Sequence, residues 1–348
     1  MGIRGLRPLH ARTLWGVLLA ALLLCAHSAQ ATYLDREEVQ AFIATMTSEY
    51  GLDAAELERV LGAARYQPTV ARLIGPKRTD RPPPVRSYPA YRAKFLNKTR
   101  IAAGAEFWAT YEAELRRAEA QYGVPAEVIV GILGVETLFG RITGSYRVID
   151  ALTTIAFDGP RRQEYFREEL KHLLLLSSEL GFDPLELKGS YAGAMGLPQF
   201  MPSSYRQHAV DFDGDGFIDL VGSPVDAIGS IASYLSAYGW VSGELPTVEV
   251  ELPAGAEDLV SGLERVHTVA DLKEKGVKFS RAALPEGECS VVELPAPGKA
   301  PRYFAGFANF EAITRYNRST FYATAVLELA EAIRDARQQQ MTVKADAG

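Results

Sequence analysis

The sequence contains few cysteines and no excess of positive charge. Two cysteines, Cys25 and Cys289, occur among 348 residues, which is too few for a disulfide framework. Acidic side chains outnumber basic ones by 43 to 37, and the net charge is −6. We therefore do not expect nucleic acid or an anionic membrane surface to be the main partner. The composition is 47% hydrophobic, without a low-complexity tract, which predicts a folded globular protein.

Residues 1–31 differ from the rest of the chain. Three arginines precede the apolar run 14–24, and the tripeptide Ala29-Gln30-Ala31 follows it. A basic start, an apolar run too short to span a membrane and a small-x-small site are typical of a secretory signal peptide. We expect cleavage near Ala31, export to the periplasm and no transmembrane segment after cleavage.

Cys25 raises the alternative of a lipoprotein, because lipidated cysteines also follow an apolar run. Leu24 precedes it, however, where lipoprotein signals have a small residue. Cleavage near Ala31 is therefore favoured, and it would leave Cys289 without an internal partner. Removal of the three leader arginines changes the net charge from −6 to −9.

Apolar residues recur at helical spacing through most of the chain. This spacing predicts helices at 36–50, 54–65, 107–122, 124–140, 165–180, 226–238 and 320–337. Strand patterns are confined to 247–252, 290–294 and 303–307. The Pro-rich stretch 82–89 is predicted to be an extended connector. The predicted fold class is mainly α (α+β), with a small β-rich subdomain.

These elements give a predicted domain order. It consists of a signal peptide (1–31), an N-terminal helical region (32–100), a catalytic core (101–240) with an acidic loop (211–226), a β-rich subdomain (241–308), a C-terminal helix that completes the core (309–338) and a flexible tail (339–348).

One acidic residue is placed unusually for a helix. Glu136 has the spacing i, i+3, i+4, i+7 with three apolar residues, Ile129, Ile132 and Leu133. A carboxyl group held among apolar neighbours resists ionisation, so Glu136 is a candidate general acid. The alternative is an ordinary helix-end glutamate that is solvated or forms a salt bridge to Arg141.

Three segments carry a resemblance to a known family. They are Gly134-Val-Glu-Thr-Leu-Phe-Gly-Arg141, Gly193-Ala-Met-Gly-Leu-Pro-Gln-Phe-Met-Pro-Ser-Ser-Tyr205 and Ile313-Thr-Arg-Tyr-Asn317. From about residue 91 to the final helix, the chain resembles the lytic murein transglycosylase B family. The resemblance implies a lysozyme-like core that cleaves the MurNAc–β-1,4–GlcNAc bond of peptidoglycan and leaves 1,6-anhydro-MurNAc ends. A single acid, Glu136, would then suffice, because the sugar's own O6 replaces water.

The resemblance also implies a set of substrate contacts. Two polar residues would hydrogen-bond near the cleavage site, and aromatic or apolar residues would line the sugar groove or form platforms. An arginine pair would meet peptide or lactyl carboxylates. The implied residues are Ser190, Gln199, Tyr91, Tyr191, Met195, Phe200, Tyr234, Tyr316, Asn317, Arg161 and Arg162. Taken singly, each tyrosine could equally be a core residue.

The acidic stretch that starts at Asp211 resembles a calcium-binding loop. Acids occupy positions 1, 3, 5 and 9 of the stretch that starts at Asp211, with glycine at position 6. Position 12 is Gly222 instead of glutamate, and the family resemblance supports closure of a longer loop by Asp226. The predicted ligands are Asp211, Asp213, Asp215, the Phe217 carbonyl and Asp226. A plain acidic turn and another cation, such as sodium, are alternatives.

Two other functions remain open from the sequence. A muramidase-type hydrolase would need a second catalytic group and would release reducing ends. A non-catalytic, calcium-stabilised glycan-binding protein of the envelope would not need an acid on a buried face. No cofactor is expected for catalysis, and the calcium is expected to be structural. Peptidoglycan glycan strands are the expected partner, with cell-wall synthesis enzymes as a further candidate.

Overall fold

The computed structural model describes residues 32–76 and 85–346. The predicted leader with Cys25, and positions 82–84 of the Pro-rich connector, lie outside the described residues. By contacts within the chain, residues up to Arg65 form one compact unit and residues from Tyr66 form a second. The predicted N-terminal region extends to residue 100, whereas this division falls after residue 65.

The first unit consists of a short 3-10 helix and two α-helices. Helix α1 is Glu37–Tyr50 and helix α2 is Ala54–Ala63. Asp53 begins α2 because its carboxylate accepts a hydrogen bond from the Glu56 amide at 2.8 Å. One face of each helix is buried, namely Val39, Ile43 and Met46 on α1 and Leu57, Val60 and Leu61 on α2.

The second unit is mainly helical. Its helices are α3 (Pro68–Ile74), α4 (Tyr88–Arg92), α5 (Lys98–Thr110), α6 (Glu112–Tyr122), α7 (Ala126–Thr137), α8 (Val148–Asp158), α9 (Gln163–Leu180), α10 (Pro202–His208), α11 (Pro224–Ala237), α12 (Val269–Glu274), α13 (Ala308–Tyr316) and α14 (Thr320–Asp346). Two short strands, β1 (Tyr146–Arg147) and β2 (Lys188–Gly189), pair antiparallel. No helix in the described ranges is long and apolar enough to cross a membrane.

Helices α7 and α14 pack closely at the centre of this unit. Ten of the twelve residues of α7 are buried, so it is enclosed on nearly every side. Its glycines permit the close approach: a Cβ at Gly131 would lie 2.8 Å from the Val326 carbonyl oxygen, and one at Gly134 would lie 2.9 Å from Leu329. This contact brings the start of α14 to the end of α7, where Glu136 lies.

The β-rich part is a five-stranded antiparallel sheet. Its strands are β3 (Thr247–Glu251), β4 (His267–Thr268), β5 (Lys278–Phe279), β6 (Glu288–Leu294) and β7 (Arg302–Gly306), in the order β4-β6-β7-β3-β5. Val248, Val250, Val291 and Ala305 are buried on it. The predicted mainly α (α+β) fold with a small β-rich subdomain is therefore confirmed.

Several local predictions differ from the structure. The predicted helix 107–122 is interrupted at Tyr111, where φ is −111° and ψ is 32°. The predicted frayed tail instead continues α14 to Asp346, because Gln338, Gln339 and Gln340 are favourable helix residues. Pro89 lies in the first turn of the short helix α4 instead of an extended connector, a position where its missing N–H costs nothing.

Candidate active site

The turn after α7 has an unusual backbone. Leu138, Phe139 and Gly140 have φ values of 52°, 59° and 82°, so two consecutive non-glycine residues are left-handed. The Thr137 side chain stabilises this turn, because its Oγ1 accepts a hydrogen bond from the Gly140 amide at 2.9 Å. Such strain persists where the surrounding structure fixes the backbone, and it is concentrated at functional sites.

Glu136 is partly buried in the last turn of α7. The Tyr322 hydroxyl on α14 donates a hydrogen bond to its Oε1 at 2.5 Å. Burial raises the pKa of Glu136 to about 7, and the hydrogen bond from Tyr322 acts in the opposite direction. No salt bridge to Arg141, or to any other cation in the described ranges, holds this carboxyl ionised.

The segment 189–201 folds back on itself against this turn. The Ser190 amide donates to the Ala194 carbonyl at 2.8 Å, and Met195 and Phe200 exchange backbone hydrogen bonds at 2.8 and 3.1 Å. Thr137 Oγ1 donates to the Leu197 carbonyl at 2.9 Å. The segment 189–201 is thus joined directly to Thr137, the residue after Glu136.

The two predicted polar contacts belong to this folded segment. Gln199 has a left-handed φ of 52°, and its Nε2 donates to the carbonyls of Thr143 at 3.0 Å and Gly196 at 2.9 Å. Its Oε1 therefore remains the atom that can accept a hydrogen bond from a substrate. The Ser190 Oγ accepts from the amides of Ala192 and Ala194, which leaves its hydroxyl proton for another acceptor.

The aromatic residues divide into a buried cluster and residues nearer the surface. Phe200 and Tyr234 are 2% and 6% exposed, with ring centroids 5.4 Å apart. Tyr316 lies 4.8 Å from Tyr234, and its hydroxyl donates to the Pro198 carbonyl at 2.9 Å. Tyr234 is therefore mainly a packing residue beneath Tyr316, which is only partly buried.

Met195 and Phe200, which were predicted to line the sugar groove, are both buried. Met195 is fully buried, and Phe200 is among the most enclosed large side chains. The hairpin-like backbone pairing between these two residues turns both side chains into the core. Their contribution is to support the loop surface from below, because neither presents an exposed face to a sugar.

Tyr91 and Tyr191 are more accessible. Tyr91 on α4 is partly buried, and its ring lies 5.7 Å from that of Phe321. Burial and the charge of Glu136 both raise the pKa of Tyr91, so its hydroxyl lies near the candidate acid. Tyr191 is 42% exposed at the tip of the folded loop.

The remaining predicted contacts are on the surface. Asn317 is exposed and follows the end of α13. Arg161 and Arg162 are exposed before α9, and the Arg162 guanidinium lies 4.1 Å from the Tyr165 ring centroid. Both arginines are thus exposed to solvent, and their contact with substrate carboxylates stays a prediction.

The acidic loop brings three carboxylates together. Atoms of Asp211, Asp213 and Asp226 lie within 4.8 Å of one another. Asp226 is 1% exposed, accepts hydrogen bonds from the amides of Phe212, Asp213 and Asp219, and has a pKa that burial raises. All three groups offer hard oxygen ligands, which fit a calcium ion.

The other two predicted ligands are less clearly placed. Asp215 is not in this carboxylate cluster, and its Oδ1 accepts the Phe217 amide at 2.8 Å. The Phe217 side chain is 70% exposed, so it adds no apolar packing that would fix the loop. A ligand at Phe217 would therefore be its backbone carbonyl alone.

Tyr322 is the functional residue that the sequence did not indicate. A tyrosine on the apolar face of a helix normally predicts core packing, and Tyr322 is indeed 2% exposed. Only the close packing of α7 against α14 places its hydroxyl on a carboxyl 186 positions earlier. Asn317 ends the third family motif, and Tyr322 follows it by five residues. This closeness to the motif was the only sign in the sequence that Tyr322 belongs to the site.

The chain is similar to known proteins over most of its length. The model of the family "Transglycosylase SLT domain" matches residues 35–331. The chain is 43% identical over 312 residues to membrane-bound lytic murein transglycosylase B of Escherichia coli (strain K12), which covers 88% of this chain and 85% of that protein.

Two solved structures are similar throughout. The Escherichia coli lytic transglycosylase Slt35 in complex with calcium has a TM-score of 0.79 and 43% identity, over 86% of this chain and 94% of that chain. SltB3 from Pseudomonas aeruginosa in complex with NAG-anhNAM-pentapeptide has a TM-score of 0.74 and 33% identity, over 86% and 79%. On the family match and this identity, the chain belongs to the transglycosylase SLT domain family.

Proposed function

We propose that the protein is a peptidoglycan lytic transglycosylase in which Glu136 is the single acid and base. The observation that carries this proposal is the state of Glu136: burial raises its pKa to about 7, and no other carboxylate in the described ranges shifts it. A carboxyl group with this pKa is protonated in a large fraction near neutral pH and can donate its proton.

The first half of the reaction uses Glu136 as an acid. Its proton passes to the oxygen that links MurNAc to GlcNAc, the C1–O bond breaks, and the GlcNAc hydroxyl leaves. The positive charge that develops at C1 is stabilised by the 2-acetamido group of the same MurNAc. Tyr322 stabilises the carboxylate that Glu136 becomes, because its hydroxyl already donates to Oε1 at 2.5 Å.

The second half uses Glu136 as a base. The carboxylate takes the proton of the MurNAc O6 hydroxyl, and O6 attacks C1 to form the 1,6-anhydro ring. Glu136 is thereby protonated again, and no water is consumed. A retaining or inverting hydrolase would instead use a second carboxylate as nucleophile or base.

Residues around Glu136 would hold the glycan strand. Gln199, through Oε1, and Ser190, through its hydroxyl, offer hydrogen bonds on the folded loop. Tyr91 and Tyr316 present partly exposed rings for the apolar faces of the sugars. SltB3, whose structure contains a NAG-anhNAM-pentapeptide, is similar over 86% of this chain, which supports an anhydro product here as well.

The acidic loop would hold a structural calcium ion. Asp211, Asp213 and Asp226 would supply the carboxylate oxygens and join the loop to the start of α11. Three converging acids repel one another, and a divalent cation removes that repulsion. Slt35 in complex with calcium supports the choice of metal.

Export to the periplasm would give the enzyme access to its substrate. The basic start, the short apolar run 14–24 and the Ala29-Gln30-Ala31 site support a cleaved leader. The similarity to a membrane-bound lytic murein transglycosylase of Escherichia coli supports a location where peptidoglycan is accessible.

Digestion of purified peptidoglycan by the mature protein tests the reaction. We expect mass spectrometry to find new MurNAc ends that are one water lighter than reducing ends. Glu136→Gln serves as the inactive control. Reducing ends would instead identify a muramidase, and intact strands with retained binding would leave only a glycan-binding function.

The pH profile is a separate prediction. The acid must be protonated, so we expect activity to fall as the pH rises through about 7, the pKa of Glu136. Tyr322→Phe removes a hydrogen bond that lowers this pKa, so the alkaline limb should move to higher pH while kcat falls. Initial rates of strand cleavage between pH 5 and 9 measure both changes (a span of about two pKa units on each side). An unshifted limb in Tyr322→Phe would contradict the assignment of the limb to Glu136.

A further inference from the structure

A cavity of about 300 Å³ lies at the start of α14. It is formed where the segment before α4, the loop before β4 and the beginning of α14 meet. The lining residues that matter are Arg86, Gly262, Glu293, Arg318, Ser319 and Thr320. None of them belongs to the predicted set of substrate contacts.

The cavity has a positive balance of charge. Arg86 and Arg318 are both exposed, and neither is paired with a carboxylate in the part of the chain that the structure describes. Glu293 is the one acidic group on the wall. Two unpaired guanidinium groups that share a concave surface are suited to bind a carboxylate, which they can hold through paired hydrogen bonds.

The walls of the cavity are fixed by neighbouring contacts. The Tyr88 amide, two residues after Arg86, donates to the Pro295 carbonyl at 2.9 Å. The Gly262 amide donates to the Val291 carbonyl on β6 at 3.0 Å. These bonds join the Arg86 segment and the loop of Gly262 to the sheet, so the cavity is largely formed before any ligand arrives.

An aromatic surface connects this cavity to Glu136. The Arg86 guanidinium lies 5.0 Å from the ring centroid of Phe321, and that ring lies 5.7 Å from Tyr91. Thr320 lines the cavity, and Tyr322, two residues later on the same helix turn, donates to Glu136. Because a helix rises 1.5 Å per residue, the cavity and Glu136 are at the same end of α14.

A stem peptide is the part of peptidoglycan that matches this distance and charge. It leaves the glycan at the lactyl group of MurNAc and carries free carboxylates. An extended pentapeptide reaches at most about 17 Å, which is enough to extend from a sugar beside Tyr91 across Phe321. Glycan hydroxyls, by contrast, are uncharged and could not neutralise the two guanidinium groups.

We propose that this cavity binds a carboxylate of the stem peptide on a MurNAc residue in the groove, with Arg86 and Arg318 as its charged contacts. The proposal rests on the proposed function and adds a specificity to it. Cleavage would be favoured on strands that still carry peptides with free carboxylates, and Glu293 would disfavour a second carboxylate in the same cavity.

The test compares three substrates: intact strands, strands freed of peptide by an amidase, and strands whose stem carboxylates have been converted to amides. For the wild-type protein we expect kcat/KM to be about tenfold higher on intact strands than on amidated strands, the size expected for loss of a bidentate charge pair. In the double variant Arg86→Gln with Arg318→Gln, this ratio should fall well below the wild-type value. Any preference that remains would belong to Arg161 and Arg162, which are exposed before α9.

Arg281→Gln is the matched control, because it removes one exposed positive charge of the sheet subdomain away from the cavity. It should keep the wild-type ratio. A wild-type ratio near one, or a double variant that keeps the tenfold ratio, would overturn the proposal. The single variant Arg318→Gln, expected at an intermediate ratio, replaces the double variant if that fails to fold. Anhydro ends on peptide-free strands test the proposed function independently of these ratios.

Discussion

Glu136→Gln is expected to reduce strand cleavage by about 10³-fold or more, because general acid–base catalysis alone contributes up to about 10⁴-fold. The substitution keeps the shape of the side chain and a carbonyl oxygen for the Tyr322 hydroxyl, and it removes only the transferable proton. Since one carboxyl group serves both halves of the proposed reaction, no second residue can replace it. The measurement is the rate of release of anhydro ends from purified peptidoglycan.

Glu127→Gln is the matched control for this variant. Glu127 lies in the first turn of the same helix, where it pairs with Arg334 at 3.5 Å. The same chemical change at that position should leave cleavage within about twofold of wild type, since exposed pairs contribute little. More than trace activity in Glu136→Gln would remove Glu136 from the catalytic role.

The stability of Glu136→Gln provides a second check with a defined sign. The pKa of Glu136 rises from 4.5 to about 7 on folding. The folded protein therefore binds more protons than the unfolded chain between these values, and its stability falls as the pH rises through this window. Glu136→Gln cannot ionise at this position, so its stability does not fall in this way as the pH rises. Its melting temperature should match that of the wild type near pH 4 and exceed it above pH 7, with both values read from thermal melts.

Removal of calcium is expected to have the other large effect. For the wild-type protein, saturating calcium should raise the melting temperature by about 5 °C over the value in chelator, since a ligand at 100 times its Kd adds about 2.7 kcal/mol. In Asp213→Ala the two melting temperatures should coincide. Asp213 also accepts a hydrogen bond from Ser223 at 2.9 Å, so its substitution can lower the melting temperature without any metal. The difference between the melting temperatures in calcium and in chelator removes that contribution and leaves the effect of calcium.

Two variants refine this experiment. Asp213→Asn keeps the size of the side chain and should also lose most of the calcium effect. Asp335→Ala removes an exposed carboxylate of α14, whose side chain is 63% exposed, and should keep the full wild-type difference. Equal melting shifts in calcium and in chelator for all of these proteins would exclude a structural metal at the loop.

The sequence predicted the amphipathic helices and also the enclosed helix α7, but it did not predict the enclosed helix α8. Helices α1 and α9 each have one exposed and one buried face. Their predicted bounds differ from the structure by no more than two residues. Helix α8 was not predicted, although Asp150, Thr153 and Thr154 have the spacing i, i+3, i+4; all ten residues from Val148 to Phe157 are buried, these polar ones included. The two-residue strands β4 and β5 are shorter than any strand pattern can indicate.

The sequence also predicted only part of the candidate site. The spacing of Glu136 among apolar residues anticipated a desolvated carboxyl group, and the structure gives it a raised pKa. The sequence could not show which side chains of the segment 189–201 are buried. That depends on the backbone pairing between Met195 and Phe200, which no local pattern indicates. Contacts across 186 positions, such as that of Tyr322, depend on helix packing that no local pattern encodes.

The close packing of α7 on α14 has a consequence for the order in which activity appears. Tyr322 on α14 follows Glu136 by 186 positions in the sequence. A chain that emerges from its N-terminus first has an ordinary, ionised glutamate until the last helix docks on Gly131 and Gly134. Synthesis of Glu136 therefore does not by itself produce a candidate acid, because the raised pKa of this side chain depends on the burial that the folded protein gives it.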